Sequence, residues 1–176
     1  MNTQLQKQFD KLEAQRAHLL GLISSLSSEQ LNAHPEGKWS IAQILSHLIS
    51  SEQLTVKYVN KKILGIKESP NTGIIEELIM IVVIVSQRLP FLKFKAPRVL
   101  AENTTSYQTV EELIKAWDLV RSALKETLVL IHGDELKRKV YKHPVAGKLN
   151  IQQGLIFLRE HTHHHTPQIK NLLRQK

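Results

Sequence analysis

Four of the chain's nine histidines fall within five consecutive residues, His161 to His165, interrupted only by Thr162. Near neutral pH an imidazole can take up a proton, release one or ligate a divalent ion, so this cluster is where chemistry is expected. Each residue of an α-helix advances about 100°, which puts His161 and His165 about 40° apart on one face. Two imidazoles so spaced can chelate one divalent ion. His164 lies about 60° to one side of His161, while His163 points nearly opposite and toward solvent. Gln168 falls close to the His161/His165 line, where it can orient a ligand or a bound water. Pro167 has no N–H for the carbonyl of His163, and its ring crowds that carbonyl, so a kink is expected there.

The position of the pair matters more than its spacing. An apolar stripe of Ile151, Leu155 and Leu158 continues through Thr162 and His165 before resuming at Ile169 and Leu172. The stripe turns polar where an interior residue is expected, and buried imidazoles are costly without a partner, which a metal supplies. A third ligand is needed, and His47 is the best candidate, about two turns into a well-capped helix near its core stripe. Gln43, Ser50 and Ser51 share that neighbourhood and can border a cavity. His18, His34, His132 and His143 fall on a helix flank, in loops or near a helix end. Plainer readings exist for each piece: a lone interior histidine is commonly just hydrogen-bonded, and an i,i+4 pair also arises from surface composition.

The elements that must position these residues are helical. Thr3 with Gln6, Ser40 with Gln43, Thr109 with Glu112, and Asn150 with Gln153 each have capping-box spacing. They open helices over about residues 3–25, 40–64, 109 to a stop near Gly133, and 150–173, each with apolar residues at three- and four-residue spacings. Trp39 and Ile44 occupy hydrophobic-staple positions around the Ser40 cap. Ile74 to Leu89 is strongly apolar and reads as a further, largely buried helix ended by Pro90, with length the one ground for preferring it to a strand over the β-branched Ile81–Val85 run. Residues 27–38, 91–106 and 134–149 read as connections. The expected architecture is all-α, a four-helix bundle with an additional shorter apolar helix, in one domain over residues 1–176.

Composition narrows the function. There is no cysteine, which removes disulfides, a thiol nucleophile and cysteine-ligated metal. No signal-like start follows Met1, and the longest apolar run, Leu78 to Val85, is too short to span a bilayer; a soluble cytoplasmic protein is expected. The formal charge of +8 suits anionic partners without choosing among them. The basic clusters Lys93–Arg98 and Lys137–Lys142 read as solvated loop charge, having few aromatics for stacking and no groove-reading motif, so nucleic acid is not the expected partner.

Trp39-Ser40-Ile41-Ala42-Gln43-Ile44-Leu45-Ser46-His47, with His161-x-x-His164-His165-x-x-Gln168-Ile169, resembles the DinB-like superfamily of helical-bundle metal proteins. His143-Pro144-Val145-Ala146-Gly147 is similar to the loop before the last helix in that group. Ser50 stands where an acidic residue is common there, and Pro167 where glycine is usual. The resemblance implies an up-down-down-up bundle holding one divalent ion on His47, His161 and His165. It also implies metal-dependent hydrolysis, or transfer reactions that use a low-molecular-weight thiol such as bacillithiol or mycothiol.

Three neutral imidazoles leave an ion its full charge and an open position, which can lower the pKa of water towards about 7 or bind a thiol as thiolate. With no cysteine in the chain, any sulfur nucleophile arrives as a separate small molecule. Zinc and nickel are the first expectations for the ion, and imidazole also suits iron and copper. His164, Gln168, Gln43 and Ser50 are candidates for contacts behind the ligands or to substrate. Glu160 and Glu52 are off the ligand directions, so no carboxylate is assigned as general base. The competing expectation is a non-catalytic, metal-stabilised interaction module, such as a homodimer built on the apolar third helix.

Overall fold

The computed structural model describes residues 1–89 and 104–175. Six α-helices account for most of these: α1 (Thr3–Ile23), α2 (Ser28–Asn32), α3 (Ile41–Ile63), α4 (Ile74–Arg88), α5 (Val110–Val129) and α6 (Ile151–Arg174), with a small hairpin of β1 (Tyr141–His143) and β2 (Gly147–Leu149) before α6. The fold is all-α. The expected connection over residues 91–106 lies mostly outside the described residues, as does the basic cluster Lys93–Arg98.

Caps start the long helices. Ser40, Thr109 and Asn150 each accept from the backbone N–H three residues on, and Gln43, Glu112 and Gln153 accept from the cap N–H in return, satisfying donors the helix cannot. At α1 the cap is Asn2 rather than Thr3: its Oδ1 accepts from Gln4 N at 2.8 Å. The apolar stripes then meet in one core, with Leu5, Leu12, Leu45, Leu48, Leu113, Trp117, Leu124, Leu155 and Leu158 buried. Burying such a side chain contributes roughly 1.5–3 kcal/mol.

Cross-helix pairs fix the directions. Ser46 meets Tyr107, Glu52 meets Trp117 and Arg121, and Asn60 meets Thr127, so α3 and α5 run parallel. Arg16 pairs with Asp118 and Glu13 with Arg121, so α1 and α5 are antiparallel. His47 meets His161, while Thr55 hydrogen-bonds Tyr141 just before α6, so α3 and α6 are antiparallel. The order is up-down-down-up, made possible by the long crossing between α3 and α5.

Five expectations need correction. Residues 27–38 contain α2, whose Ser27–Gln30 capping box has the same spacing as the others but opens only five residues of helix. The α5 helix ends at Val129, and Gly133, at φ +51°, instead opens a 3-10 turn over Gly133–Lys137. Residues 134–149 are not simply loop: Tyr141 pairs Leu149 and His143 pairs Gly147 across the hairpin. Most significantly, α4 is not largely buried. Met80 and Val83 are buried, while Ile74, Ile75, Leu78, Ile81, Val82 and Val85 are each more than half exposed. Nor is the Lys137–Lys142 cluster merely solvated charge. Lys139 pairs with Glu76 at 2.8 Å and Arg138 donates to the Ser69 carbonyl at 2.8 Å, pinning the start of α4.

The hairpin packs on α6 through one close approach. A Cβ added at Gly154 would stand 2.9 Å from Cγ of the buried Tyr141 ring. The contact is with the root of an aromatic ring, so relief requires moving the hairpin. Gly154→Ala is therefore expected to lower stability by about 1–3 kcal/mol of overpacking, outweighing the ~1 kcal/mol helix-propensity gain; the urea midpoint reads it.

Candidate metal centre

The α6 stripe stays buried where it turns polar. Thr162 spends its hydroxyl on the Leu158 carbonyl at 3.0 Å, and His165 is buried one turn on. Since α3 crosses α6 antiparallel, His47 comes to the same level as His161 and His165. One ring nitrogen from each of the three histidines lies within 4.8 Å of the others. His47 Nε2 and His161 Nε2 are 3.1 Å apart. Two nitrogens bound 2.0–2.1 Å from a tetrahedral zinc stand about 3.3–3.4 Å apart, so the spacing fits a shared ion.

The surroundings select neutral, correctly turned rings. Burial pushes the pKa of His47 down to about 4 and that of His165 to about 3, where the neighbouring His47 also depresses it. Burial, then His165 and His47, hold His161 well below the ordinary range. All three therefore keep a lone pair available at neutral pH. His165 Nδ1–H donates to Gln168 Oε1 at 3.1 Å, which leaves Nε2 as its lone-pair nitrogen. This is the arrangement by which ligand histidines are oriented. Gln168 reaches this position although Pro167 stands inside α6, which remains helical on both sides of it.

Other candidate residues are placed differently. His164 Nδ1–H donates to the Gln87 carbonyl at the end of α4, 2.8 Å away, and its ring is edge-on to His165. Gln43 is exposed and its Oε1 is held by Ser40 N at 2.8 Å, within the cap of α3. Ser50 is buried one turn beyond His47, and its Oγ has no hydrogen-bond partner. His163 is exposed, as are His18, His34 and His132. Among the described residues the cluster includes no carboxylate. Glu160 is taken by Arg88 at 2.7 Å and Arg159 at 3.0 Å, and Glu52 by Trp117 and Arg121.

Three aromatic or imidazole neighbours escape sequence reasoning. Trp39, expected as a staple, lies against the histidines: its ring is 5.2 Å from His47 and 6.5 Å from His165, nearly parallel to the latter. Phe157 stacks on His161 at 5.4 Å, and its position four residues earlier on the same face was the available signal. His143, assigned to a loop, is buried edge-on to Phe157 at 4.3 Å. Its Nδ1 accepts from the backbone N–H of Val145 and Ala146, tying the hairpin turn beside the centre.

A helical bundle with three convergent neutral imidazoles on two antiparallel helices is the class that fold and site define. The DinB superfamily model matches residues 11–169, and the chain belongs to that superfamily. It is also similar to YuaE of Bacillus subtilis (strain 168), an uncharacterised protein, with 26 % identity over 151 residues covering 85 % of this chain and 87 % of that protein. No solved structure matches the chain significantly.

Proposed function

We propose that the protein is a divalent-metal-dependent enzyme acting on a small molecule, either by hydrolysis or by transfer to or from a low-molecular-weight thiol. The observation that carries this reading is the convergence of three neutral imidazole nitrogens without a charged ligand. An ion so held keeps its full charge, which acidifies a water or thiol that reaches it; zinc and nickel suit the donor set.

The chain's own residues have separable tasks in this scheme. His47, His161 and His165 hold the ion, and Gln168 fixes the tautomer and orientation of His165. Phe157 and Trp39 wall the site with apolar surface, which strengthens electrostatic interactions within it. Trp39 is 44 % exposed and Gln168 is exposed, so the substrate approaches from their side. The absence of cysteine means that a sulfur nucleophile comes with the cosubstrate.

Metal analysis of the purified protein, followed by a screen of thiols with electrophilic or ester substrates, tests the proposal. Stoichiometric metal and turnover that disappears in His47→Ala are expected; metal-free protein, or turnover indifferent to His47, would sink it. Gln168→Ala is expected to weaken metal binding by roughly 10–100-fold, the usual effect of losing a group that orients a ligand, with helix content unchanged. Titration calorimetry measures it.

The exposed apolar side of α4 favours a second reading, a non-catalytic module in which metal only stabilises the bundle. Stoichiometric metal without turnover on any thiol, ester or electrophile would favour it.

A further inference from the structure

The uncovered side of α4 is ordered in sequence. Ile74, Leu78, Ile81 and Val85 follow one another at spacings of four, three and four, with Ile75 and Val82 flanking them seven apart. This is the spacing by which one helix packs along another. All six are between 51 % and 75 % exposed. Together they present roughly 600 Å² of apolar surface, at the upper limit of what a monomer leaves uncovered and near the ~800 Å² per partner of a standard interface.

The surface is also held rigid. Glu76 pairs with Lys139 at one end of α4, and at the other Arg88 pairs with Glu160 while the Gln87 carbonyl accepts from His164. A face fixed at one end to the segment before β1 and at the other to α6 loses little conformational freedom when it is covered.

From these observations we infer that α4 pairs with α4 of a second copy of this chain, antiparallel about a two-fold axis. The spacing four-three-four reads the same in both directions, so an antiparallel copy matches layer for layer, Ile74 opposite Val85 and Leu78 opposite Ile81. Charge selects this orientation over the parallel one. Glu76 and Arg88 are neutralised within the chain by Lys139 and Glu160, which leaves the exposed Glu77 in the first turn. A parallel pair would bring the two copies of Glu77 to the same level and align the helix dipoles, whereas the antiparallel pair separates the first and opposes the second. A two-fold contact is self-complementary and closes at two copies. The stripe itself carries no charge, while each chain has a net charge of +8, so screening by salt strengthens the association. This inference is independent of any metal or activity.

Sedimentation velocity of the full chain is expected to give twice the 20.1 kDa chain mass at micromolar concentration. The dimer fraction is expected to rise with salt. Leu78→Glu with Ile81→Glu, both exposed positions, is expected to halve the mass while leaving helix content and metal content unchanged. The cysteine-free chain allows the orientation to be tested directly. A short bifunctional thiol reagent is expected to cross-link a mixture of Ile74→Cys and Val85→Cys proteins several-fold more than Ile74→Cys alone. A wild-type monomer at about 100 µM, where an interface with a dissociation constant of roughly 1 µM is mostly occupied, or a dimer that survives the double substitution, overturns the pairing. So does a monomer that instead binds vesicles. Equal cross-linking of Ile74→Cys alone overturns the antiparallel arrangement.

Discussion

His165→Ala is expected to lower affinity for a divalent ion by more than about 100-fold, because even groups that merely orient a ligand are worth 10–100-fold. His165 contributes more than its own donor: it is the ring that Gln168 holds and the one against which Trp39 and His164 pack. Losing it breaks the convergence from three sides. Binding also appears as stability, since an ion at 100 times its dissociation constant adds about 2.7 kcal/mol to the folded state. The wild-type melting temperature should therefore rise with added zinc or nickel, and that of His47→Ala/His161→Ala/His165→Ala should not. If the triple variant without metal is as stable as wild type with metal, the site holds no ion.

Acid provides a second readout. In the metal-free protein the folded pKa values of about 4 for His47 and about 3 for His165 lie below the ordinary value of 6.5. The unfolded chain then binds protons first, so the stability from these neutral rings is complete above about pH 6.5 and is lost as pH falls toward the folded values. Replacing the three histidines should flatten this part of the stability–pH curve.

What could be read from sequence was what is local. The capping boxes at Ser40, Thr109 and Asn150 and the polar break at Thr162 and His165 each lie within a few residues, and each is present in the fold. The His161/His165 pair was legible for the same reason. His47 depended on where its helix stripe lay, and only the antiparallel crossing of α3 over α6 brings it to the pair.

Long-range placement was hidden. Helix α4 is apolar around most of its circumference, so hydrophobicity suggested burial without saying which side the core reaches. Helix α2 is too short to show a period, and the hairpin strands have three residues each. His143 acts through backbone N–H groups of its own turn, which no spacing of side chains announces.

The largest expected loss of stability away from the metal centre comes from Glu52→Ala. Glu52 and Arg121 are both almost wholly buried, at 2 % and 3 % exposure, and form an ion pair at 2.8 Å. Glu52 also accepts from Trp117 Nε1 at 2.9 Å. Burial pushes the Glu52 pKa up, against the opposing pull of Arg121 and the indole N–H, so the site already works against desolvation. Deleting the carboxylate leaves the guanidinium, among the described residues, with only the more distant carboxylate of Glu13, 3.5 Å away, and leaves the indole N–H of a fully buried tryptophan without its acceptor. Breaking one half of a buried pair costs about 3–5 kcal/mol, mostly because the survivor stays charged and dry. That attribution has its own test. Glu52→Leu combined with Arg121→Met removes both charges at similar volume and should recover most of the loss. If instead the double variant is as unstable as the single one, the cost lies in packing around Trp117, not in the stranded charge; urea denaturation of the three proteins separates the two.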